Sequence, residues 1–398
     1  MSASEKGQRP PLVTPTFIAL FVSALAFFGA GGIVLPVATR FANGPLDASG
    51  LGVGVGIGAF SIAALLFRPV VGWASDRFGR RPLLLLGGSV TVAAFAAHLL
   101  ADSLPAFIVV RSVYGIGEAF FFVACVAAVS DLAPEERRGE AINIASLSVY
   151  LGLAVGPVLG EAILAATDFD VVWIVAAAIT GVATVLALLV PETAPAVLAA
   201  ALTGERPPRG RLFHPAGILP GFLILTGAWG MAGFLAFVPL HATSLGLDGA
   251  GIPLAMYAAI VVLLRIIFVR LPDEIGAARL SGGALIIGAV GLALVGTLPG
   301  TVGLFVGTAV FAAGIAFMFP ALIAVAVGLV DEAERGSVVG TSSVFLDLSF
   351  GLSPALLGLV VDASGYPAAF MVSAIVSAIG AAVLVHRRRS LVAQPRPA

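Results

Sequence analysis

Long apolar runs separated by short polar segments make up most of this chain. A helix needs about 20 mostly apolar residues to cross the hydrocarbon core of a bilayer, and twelve runs approach or exceed that length. They are residues 16–39, 52–72, 82–101, 107–129, 141–164, 171–190, 217–240, 251–269, 280–298, 303–328, 338–361 and 367–386. The pattern therefore predicts an all-α membrane protein with twelve transmembrane helices.

The composition agrees with a body that lies in lipid. Of the 398 residues, 59% are hydrophobic and 11% are charged, and the mean hydropathy is +1.09. Soluble domains carry about 25% charged residues, so this chain lacks the polar surface to coat a water-soluble protein of its size.

Charge and cysteine content argue against several other classes of protein. The net charge of −1 gives a nucleic acid no electrostatic attraction. Lys6 is the only lysine, so the chain has no Walker A lysine and we expect no ATP hydrolysis. Cys125 is the only cysteine, and no Cys/His cluster has the spacing of a metal site. We therefore expect neither an enzyme nor a bound metal or cofactor.

Arginines concentrate in one set of loops. They occupy the segments after the even-numbered runs and the tail, whereas the alternate loops hold only Arg40. Because cytoplasmic loops of membrane proteins carry an excess of Lys and Arg, we predict a multi-pass protein of the cell membrane with both termini in the cytoplasm.

The two halves of the chain repeat one another at a constant offset of 197 residues. The matching pairs are Arg68 with Arg265, Asp76 with Asp273, Gly79 with Gly276, Arg138-Gly139 with Arg335-Gly336, and Pro157 with Pro354. Ordered matches at one offset indicate a duplicated six-helix unit. We predict an N-terminal bundle over 1–192, a cytoplasmic linker over 193–215 and a C-terminal bundle over 216–398, which can rock about a central site.

The segment GWASDRFGRRP, residues 72–82, joins the second and third runs. Its order of Gly, Ser, Asp-Arg, Gly and Arg-Arg resembles the loop signature of the major facilitator superfamily, and the resemblance extends over essentially the whole chain. It implies two pseudo-symmetric six-helix bundles that transport by alternating access. It also implies a conformational latch, whose residues here are Asp76, Arg77, Gly79 and Arg80, and Asp131 after the fourth run is positioned to join it. The alternative is that these arginines only anchor the topology.

The fourth run contains Arg111, Gly115 and Gly117, which match the family pattern for this span. A lone arginine inside a membrane must find a partner or water. The resemblance implies a role for Arg111 in proton coupling. The alternative is a buried structural charge that bonds to backbone carbonyls.

The fifth run contains LGLAVGPVLGE, which is similar to a pattern shared by family exporters that exchange substrate for protons. The matching residues are Gly152, Gly156, Pro157 and Gly160, and Glu161 replaces the final glycine. Glycines four residues apart lie on one helix face and allow close packing, and a proline can bend the helix. A hinge or seal is expected here, and a generic tight helix contact is the alternative.

Three carboxylates fall inside predicted spans: Glu118, Glu161 and Asp347. Burial disfavours the charged form of a carboxyl group, so one that gains and loses a proton can carry it across. We predict that Glu118, on the same helix face as Arg111, and Asp347 in the other half couple transport to protons. The alternatives are a structural pair with Arg111 for Glu118 and a helix–helix polar contact or a sodium site for Asp347. Glu161 lies near the outer end of its span, and we expect it to be wetted.

Four aromatic residues are weaker candidates. Phe121, Phe122, Trp229 and Phe317 can line the substrate path, although contact with lipid or core packing is the alternative for each. His98 and the other three histidines fall at predicted ends or in loops and receive no role.

These features predict a secondary active transporter that resembles the 12-span proton-coupled drug and sugar efflux permeases. We expect a monomeric antiporter that exchanges protons for a small hydrophobic or amphipathic compound. The alternatives are a sugar or organic-anion transporter of the same fold and a transporter-like sensor. The family's glutamine position in the fourth span is occupied by Tyr114, which argues against a sugar.

Overall fold

The computed structural model describes residues 12, 14–134, 138–194, 213–268, 271–330 and 335–391, and the regular secondary structure in these ranges is helical. The first half contains α1 (Pro15–Asn43), α2 (Gly50–Phe78), α3 (Arg80–Ala97), α4 (Leu104–Leu132), α5 (Arg138–Ala166) and α6 (Phe169–Ala187). A 3-10 turn, His98–Leu100, follows α3. Polar caps define several starts: the Thr14 side chain accepts from Phe17 N and the Asp168 side chain from Val171 N.

The second half begins with a 3-10 turn, Pro215–Gly217, and continues with α7 (Ile218–Ser244), α8 (Gly251–Ile267), α9 (Ala277–Thr297) and α10 (Gly300–Gly328). A five-residue helix, Leu271–Ile275, precedes α9. The last helical stretch is Arg335–Leu391, in which Gly365 has φ 80° and ψ 175°. We call the arm before Gly365 α11 and the arm after it α12.

Ten helical segments of the described residues are long and apolar enough to cross a membrane. One of them, Val338–Arg387, contains both α11 and α12, and the shorter apolar helix Gly251–Ile267 stands outside the ten. Counting the first as two and adding the second gives the twelve helices that the sequence predicts. Helices satisfy their backbone hydrogen bonds internally, which is why apolar runs in lipid adopt this structure.

Equivalent helices pack together in the two halves. In the first half α1 packs on α5, α2 on α4, and α3 on both α4 and α6. In the second half α7 packs on α11, α8 on α10, and α9 on both α10 and α12. The chain thus forms two pseudo-symmetric six-helix bundles. Gly79 and Gly276, 197 residues apart, both have positive φ, at 100° and 86°, in the turns before α3 and α9.

The bundles meet where α2 packs on α11, α5 on α8 and α1 on α7. We call the side of the molecule at which α2 begins the Gly50 face, and the side at which it ends the Gly79 face. Linker residues 195–212 lie outside the described residues.

Candidate functional site between the two bundles

An ion pair joins the bundles between Arg68 of α2 and Asp347 of α11. Arg68 Nη2 donates a hydrogen bond to Asp347 Oδ1 at 2.9 Å. Arg68 Nε lies 2.7 Å from Asp347 Oδ2, but its hydrogen is not directed at that oxygen, so neither atom has a hydrogen-bond partner. The side chains are 21% and 14% exposed, which places the pair at the edge of the interface between α2 and α11.

Glycines bring α2 and α11 into backbone contact on the Gly50 side of this pair. A Cβ at Gly54 would collide with the Pro354 carbonyl, and one at Gly58 would collide with the Gly351 carbonyl. Close contacts continue to Ile62, against which Gly351 packs. The ion pair follows about two turns later along α2, so it lies just beyond the closest stretch of this interface.

Glu118 lies in α4 and is 7% exposed. Its Oε2 atom is buried without a hydrogen-bond partner in the described structure. The charges of Arg68 and Asp347 both act on it. The sequence predicts Glu118 and Asp347 as a pair of coupling residues from opposite halves, and the structure brings them into one electrostatic cluster with Arg68.

Arg111 lies deeper in the N-terminal bundle and is 2% exposed. Its guanidinium carbon stands 5.5 Å from the Phe60 ring centre and 5.4 Å from that of Tyr114. Among the described residues no ion pair joins Arg111 to Glu118. Tyr114 lies about one helical turn from each of them and interacts electrostatically with both. Arg111 Nε has no hydrogen-bond partner there, so aromatic faces are the main contacts of this cation.

His98 lies directly after α3, at the end of the third apolar run, but it is buried there. It is 1% exposed, stacks on Trp173 with ring centres 4.6 Å apart, and its Nδ1 contacts Ala94 O at 2.8 Å. The 3-10 turn after α3 folds it into the bundle, so the end of the apolar run is not the end of the buried segment.

The four aromatic candidates have different surroundings. Phe122 is half-buried, and its ring centre lies 4.9 Å from the Arg68 guanidinium. Phe121 is fully buried and stacks on Phe27 of α1 at 3.9 Å, a core packing position. Trp229 and Phe317 are half-buried beside the core of the C-terminal bundle. Phe122 is the one of the four that contacts the ionic cluster.

The turn between α2 and α3 is held by acids within its own bundle. Arg80 Nε bonds to Asp131 Oδ2 at 3.1 Å, and Arg80 Nη1 bonds to the Ser75 carbonyl at 2.6 Å. The Glu192 carboxylate accepts the backbone N–H groups of Arg80 at 2.8 Å and Arg81 at 3.2 Å. Glu192 thereby caps the start of α3, which has no cap of its own.

Arg77 and Gly79 of the predicted latch have other contacts. The exposed Arg77 lies 5.5 Å from the Trp73 ring centre and 5.7 Å from that of Phe78. Gly79 has positive φ, and its Cα faces the Glu192 carboxylate so closely that a Cβ would collide with it. Asp76 lies in α2, and its side chain is outside the described structure.

The glycines of the fifth span face α1. A Cβ at Gly156 would lie 2.6 Å from Gly32 Cα, and one at Gly152 would lie 2.6 Å from Gly29 N. Gly160 packs in the same way against the Ile33 carbonyl. Pro157 is inside the continuous helix α5. The motif therefore builds the contact between α1 and α5.

Acids close the Gly50 face in two equivalent places. At the end of α11, Asp362 accepts hydrogen bonds from Gly50 N at 2.6 Å and Leu51 N at 2.8 Å, which are the first N–H groups of α2. At the end of α5, Glu161 bonds to Arg40 at 2.9 Å and interacts with the N–H of Ala250, just before α8. In each place an acid of one bundle meets the second helix of the other.

The expectation of a wetted Glu161 is wrong. Its side chain is 4% exposed. Gly249, from the loop between α7 and α8, packs against the ion pair, and a Cβ there would lie 3.0 Å from Arg40 Nη1. A loop from the other half of the chain covers an acid that its own helix would leave at the surface.

The sequence did not predict four features of this interface and of the turn before α3. They are the roles of Arg68, Glu192 and Asp362 and the pairing of Arg40. Arg68 carried a usable signal, because it is a lone cation inside an apolar run. Ser342 and Ser349, which are close to Asp347 in the sequence, do not bond to it; Ser342 donates to Gly217 O and Ser349 to Leu225 O.

Comparison with known proteins identifies the class. A sequence model of the Major Facilitator Superfamily matches residues 16–303 and 248–398, so the chain belongs to this superfamily. An uncharacterized MFS-type transporter of Salmonella typhimurium is 27% identical over 387 residues, which cover 93% of this chain and 96% of that protein. Another, of Burkholderia mallei, is 28% identical over 361 residues, covering 88% and 87%.

Solved structures show the same fold. A bacterial homolog of the human lysosomal transporter Spinster, in an inward-facing and unoccupied conformation, gives a TM-score of 0.79 at 16% identity, with 98% of this chain and 100% of that chain covered. The human organic anion transporter MFSD10 gives 0.70 at 18% identity, covering 94% and 100%. The nucleoside transporter NupG gives 0.72 at 15% identity, covering 93% and 99%. The protein is thus a multi-pass membrane transporter and not an enzyme.

Proposed function

We propose that this transporter is a proton-coupled antiporter that exports a small hydrophobic or amphipathic compound by alternating access. The observation that carries the proposal is the buried carboxyl of Glu118, whose Oε2 has no hydrogen-bond partner in the described structure. A buried carboxylate oxygen without a partner disfavours the charged form, whereas the protonated acid is tolerated. Glu118 therefore holds a proton in this conformation and releases it when water or substrate reaches it.

The conformation follows from the closure of the Gly50 face together with the charge distribution. We assign the Gly79 face, with its arginine-rich turn, to the cytoplasm. The contacts of Asp362 with Gly50 and of Glu161 with Ala250 then close the external side, and the molecule faces inward. Substrate enters from the cytoplasm as the proton leaves.

The remaining predicted elements take supporting roles. The bundles extend over 1–192 and 216–398 with a linker over 193–215. The Arg80–Asp131 pair and Glu192 hold the turn between α2 and α3, which is where we place the latch. Close packing of α5 on α1 at Gly156 makes these two helices move as one body during the transition.

An organic-anion transporter of the same fold is the second candidate. Arg111 favours it, because no carboxylate pairs with this cation among the described residues. With Glu118 protonated, Arg68, Asp347 and Arg111 leave one positive charge near the bundle centre, which an anionic group can neutralise.

Transport into proteoliposomes under an imposed pH gradient tests the proposal. Suitable probes are tetraphenylphosphonium, an aryl carboxylate, a nucleoside and a disaccharide. An antiporter accumulates its substrate on the acidic side, whereas movement to the alkaline side indicates symport and would contradict the proposal. The direction of pumping therefore decides the mechanism, and the transported probe decides between the two candidates.

Two variants locate the proton site. Glu118→Gln should abolish gradient-driven accumulation and leave folding intact, since the amide keeps the size of the side chain but cannot release a proton. Asp102→Asn, an exposed acid on the Gly50 face, is the matched control and should transport like the wild type. Full gradient-driven accumulation by Glu118→Gln would refute the assignment.

A further inference from the structure

Arg68 belongs to the N-terminal bundle, and its bonding partner, Asp347, belongs to the C-terminal bundle. An arginine and a carboxylate can form two parallel hydrogen bonds. In this pair one of them is well directed, from Arg68 Nη2 to Asp347 Oδ1 at 2.9 Å. The second contact, from Nε to Oδ2, is short but misaligned, and both atoms remain without a hydrogen-bond partner. The pair uses only the Nε and Nη2 edge of the guanidinium, so its remaining donors can bind a second carboxylate.

Glu118 is positioned to be that competitor. The Arg68 guanidinium lies 4.9 Å from the ring centre of Phe122. Phe122 is four residues after Glu118, so the two side chains share one face of α4. Arg68 thus stands over the face of α4 that carries Glu118, and its charge acts on that carboxyl.

Among the described residues, the charged and titratable groups around Glu118 come from three helices. They are Arg68 on α2, Asp347 on α11, and Arg111 and Tyr114 on α4 itself. The flanking helix α1 has no ionisable residue before Arg40, and α3 has none between Arg81 and His98. His98 interacts electrostatically with Arg111. Arg68 is therefore the cation that both acids share.

The cluster is not part of the internal repeat. At the offset of 197, Glu118 aligns with Ile315 and Asp347 with Tyr150. Arg68 aligns with Arg265, but Arg265 Nε donates to the carbonyl of Ala316 in its own bundle, at 2.9 Å. One acid from each half and one cation form an asymmetric arrangement, which suits a single exchange event in each cycle.

We infer that Arg68 couples proton exchange to conformation by moving between Asp347 and Glu118. The inference rests on the proposed function, in which Glu118 carries the proton. While Glu118 is protonated, Arg68 pairs with Asp347 across the bundles and holds the Gly50 face closed. When Glu118 releases its proton, Arg68 pairs with it inside the N-terminal bundle and α2 is free to leave α11. Protonation from the Gly50 side returns Arg68 to Asp347.

The cost of an unpaired cation in lipid makes this exchange a coupling device. An arginine inside a membrane needs a counter-charge or water. Arg68 therefore leaves Asp347 only when Glu118 is ionised, so the Gly50 face does not open readily on the protonated transporter.

Distances between spin labels across the Gly50 face test the inference without a known substrate. Pro45, between α1 and α2, and Ser364, at the end of α11, are exposed on opposite bundles. Each is replaced by cysteine and spin-labelled in a Cys125→Ser background, since Cys125 is the only native cysteine. We expect one short distance at acidic pH and a growing long-distance population at alkaline pH in lipid nanodiscs.

Variants then separate the steps. Glu118→Gln should hold the short distance at every pH, because Arg68 has no second acid to join. Asp347→Asn should raise the ratio of long to short distances about tenfold at acidic pH, the effect of 1.4 kcal/mol on an equilibrium. Arg68→Met should remove the pH response, and Asp102→Asn should behave like the wild type.

Two results would overturn the inference. One is a pH response in Glu118→Gln equal to that of the wild type; the other is a label distance in the wild type that does not change with pH. If pH-driven transport in proteoliposomes still depends on Glu118 when either result is found, the proposed function stands and only the role of Arg68 falls.

Discussion

The carboxylate of Asp362 caps a helix of the opposite bundle, with Oδ1 2.6 Å from Gly50 N and Oδ2 2.8 Å from Leu51 N. The first N–H groups of a helix have no partners inside it, and the helix dipole adds to their attraction for an anion. A contact of this kind holds the bundles together on the Gly50 face without any side-chain cation.

Removing this cap should loosen the Gly50 face. Hydrogen bonds to charged groups contribute about 1.5–3 kcal/mol, and Asp362 is exposed, so the lower end applies. Asp362→Ala should raise the open population measured between labels at Pro45 and Ser364 by about tenfold. Asp362→Asn keeps one acceptor and should have a smaller effect. Equal distances in Asp362→Ala and in the control Asp102→Asn would show that the cap is not part of the closure.

The Arg40–Glu161 pair should contribute to thermal stability as a unit. Losing one partner of a buried pair costs about 3–5 kcal/mol, and less is expected here because Arg40 is 24% exposed. Arg40→Met should therefore lower the melting temperature in detergent, since Glu161 is left buried without its cation. The double variant Arg40→Met/Glu161→Gln should recover part of the loss. Strictly additive losses would argue against a coupled pair.

The contact of α5 with α1 should not tolerate even a methyl group. A Cβ at Gly156 would lie 2.6 Å from Gly32 Cα, which is backbone and unable to turn aside. Overpacking costs about 1–3 kcal/mol, so Gly156→Ala should lower the melting temperature. Gly181→Ala in α6, where nothing lies within 4 Å of an added Cβ, should be neutral or stabilising by up to about 1 kcal/mol. The same response at both positions would contradict the packing account.

Glu192 should stabilise the turn between α2 and α3. Its carboxylate accepts the N–H groups of Arg80, Arg81, Thr193 and Ala194. Glu192→Ala removes all four acceptor contacts and should cost about 1–3 kcal/mol in thermal unfolding, since partly buried N–H groups lose their partner. Glu192→Gln should restore part of this, and Glu274→Ala, an exposed acid of the second half, is the control. An unchanged melting temperature in Glu192→Ala would show that Glu192 does not stabilise the turn.

The helices were predictable from sequence because lipid leaves the backbone few options. Twelve apolar runs predict twelve helices, and the repeat at 197 residues predicts the pseudo-symmetry that Gly79 and Gly276 display in their dihedral angles. Family motifs located α4 and the turn before α3. What they could not supply was which residues from distant parts of the chain meet.

The partner of Asp347 illustrates this limit. Arg68 is 279 residues away, and no local pattern encodes a contact between one helix of each bundle. Glu161 was misjudged for the same reason, since its burial depends on Arg40 and on a loop of the other half. Sequence reasoning therefore identified the acids as candidates by their cost in lipid, but their partners follow only from the tertiary structure.

Infrared difference spectroscopy of the purified transporter in lipid, titrated with pH, measures carboxyl protonation directly and requires no substrate. The account predicts a band of a protonated carboxyl group that is present at acidic pH, disappears on titration, and is missing in Glu118→Gln but kept in Asp102→Asn. A titrating band that is unchanged in Glu118→Gln would contradict the claim that Glu118 carries the proton.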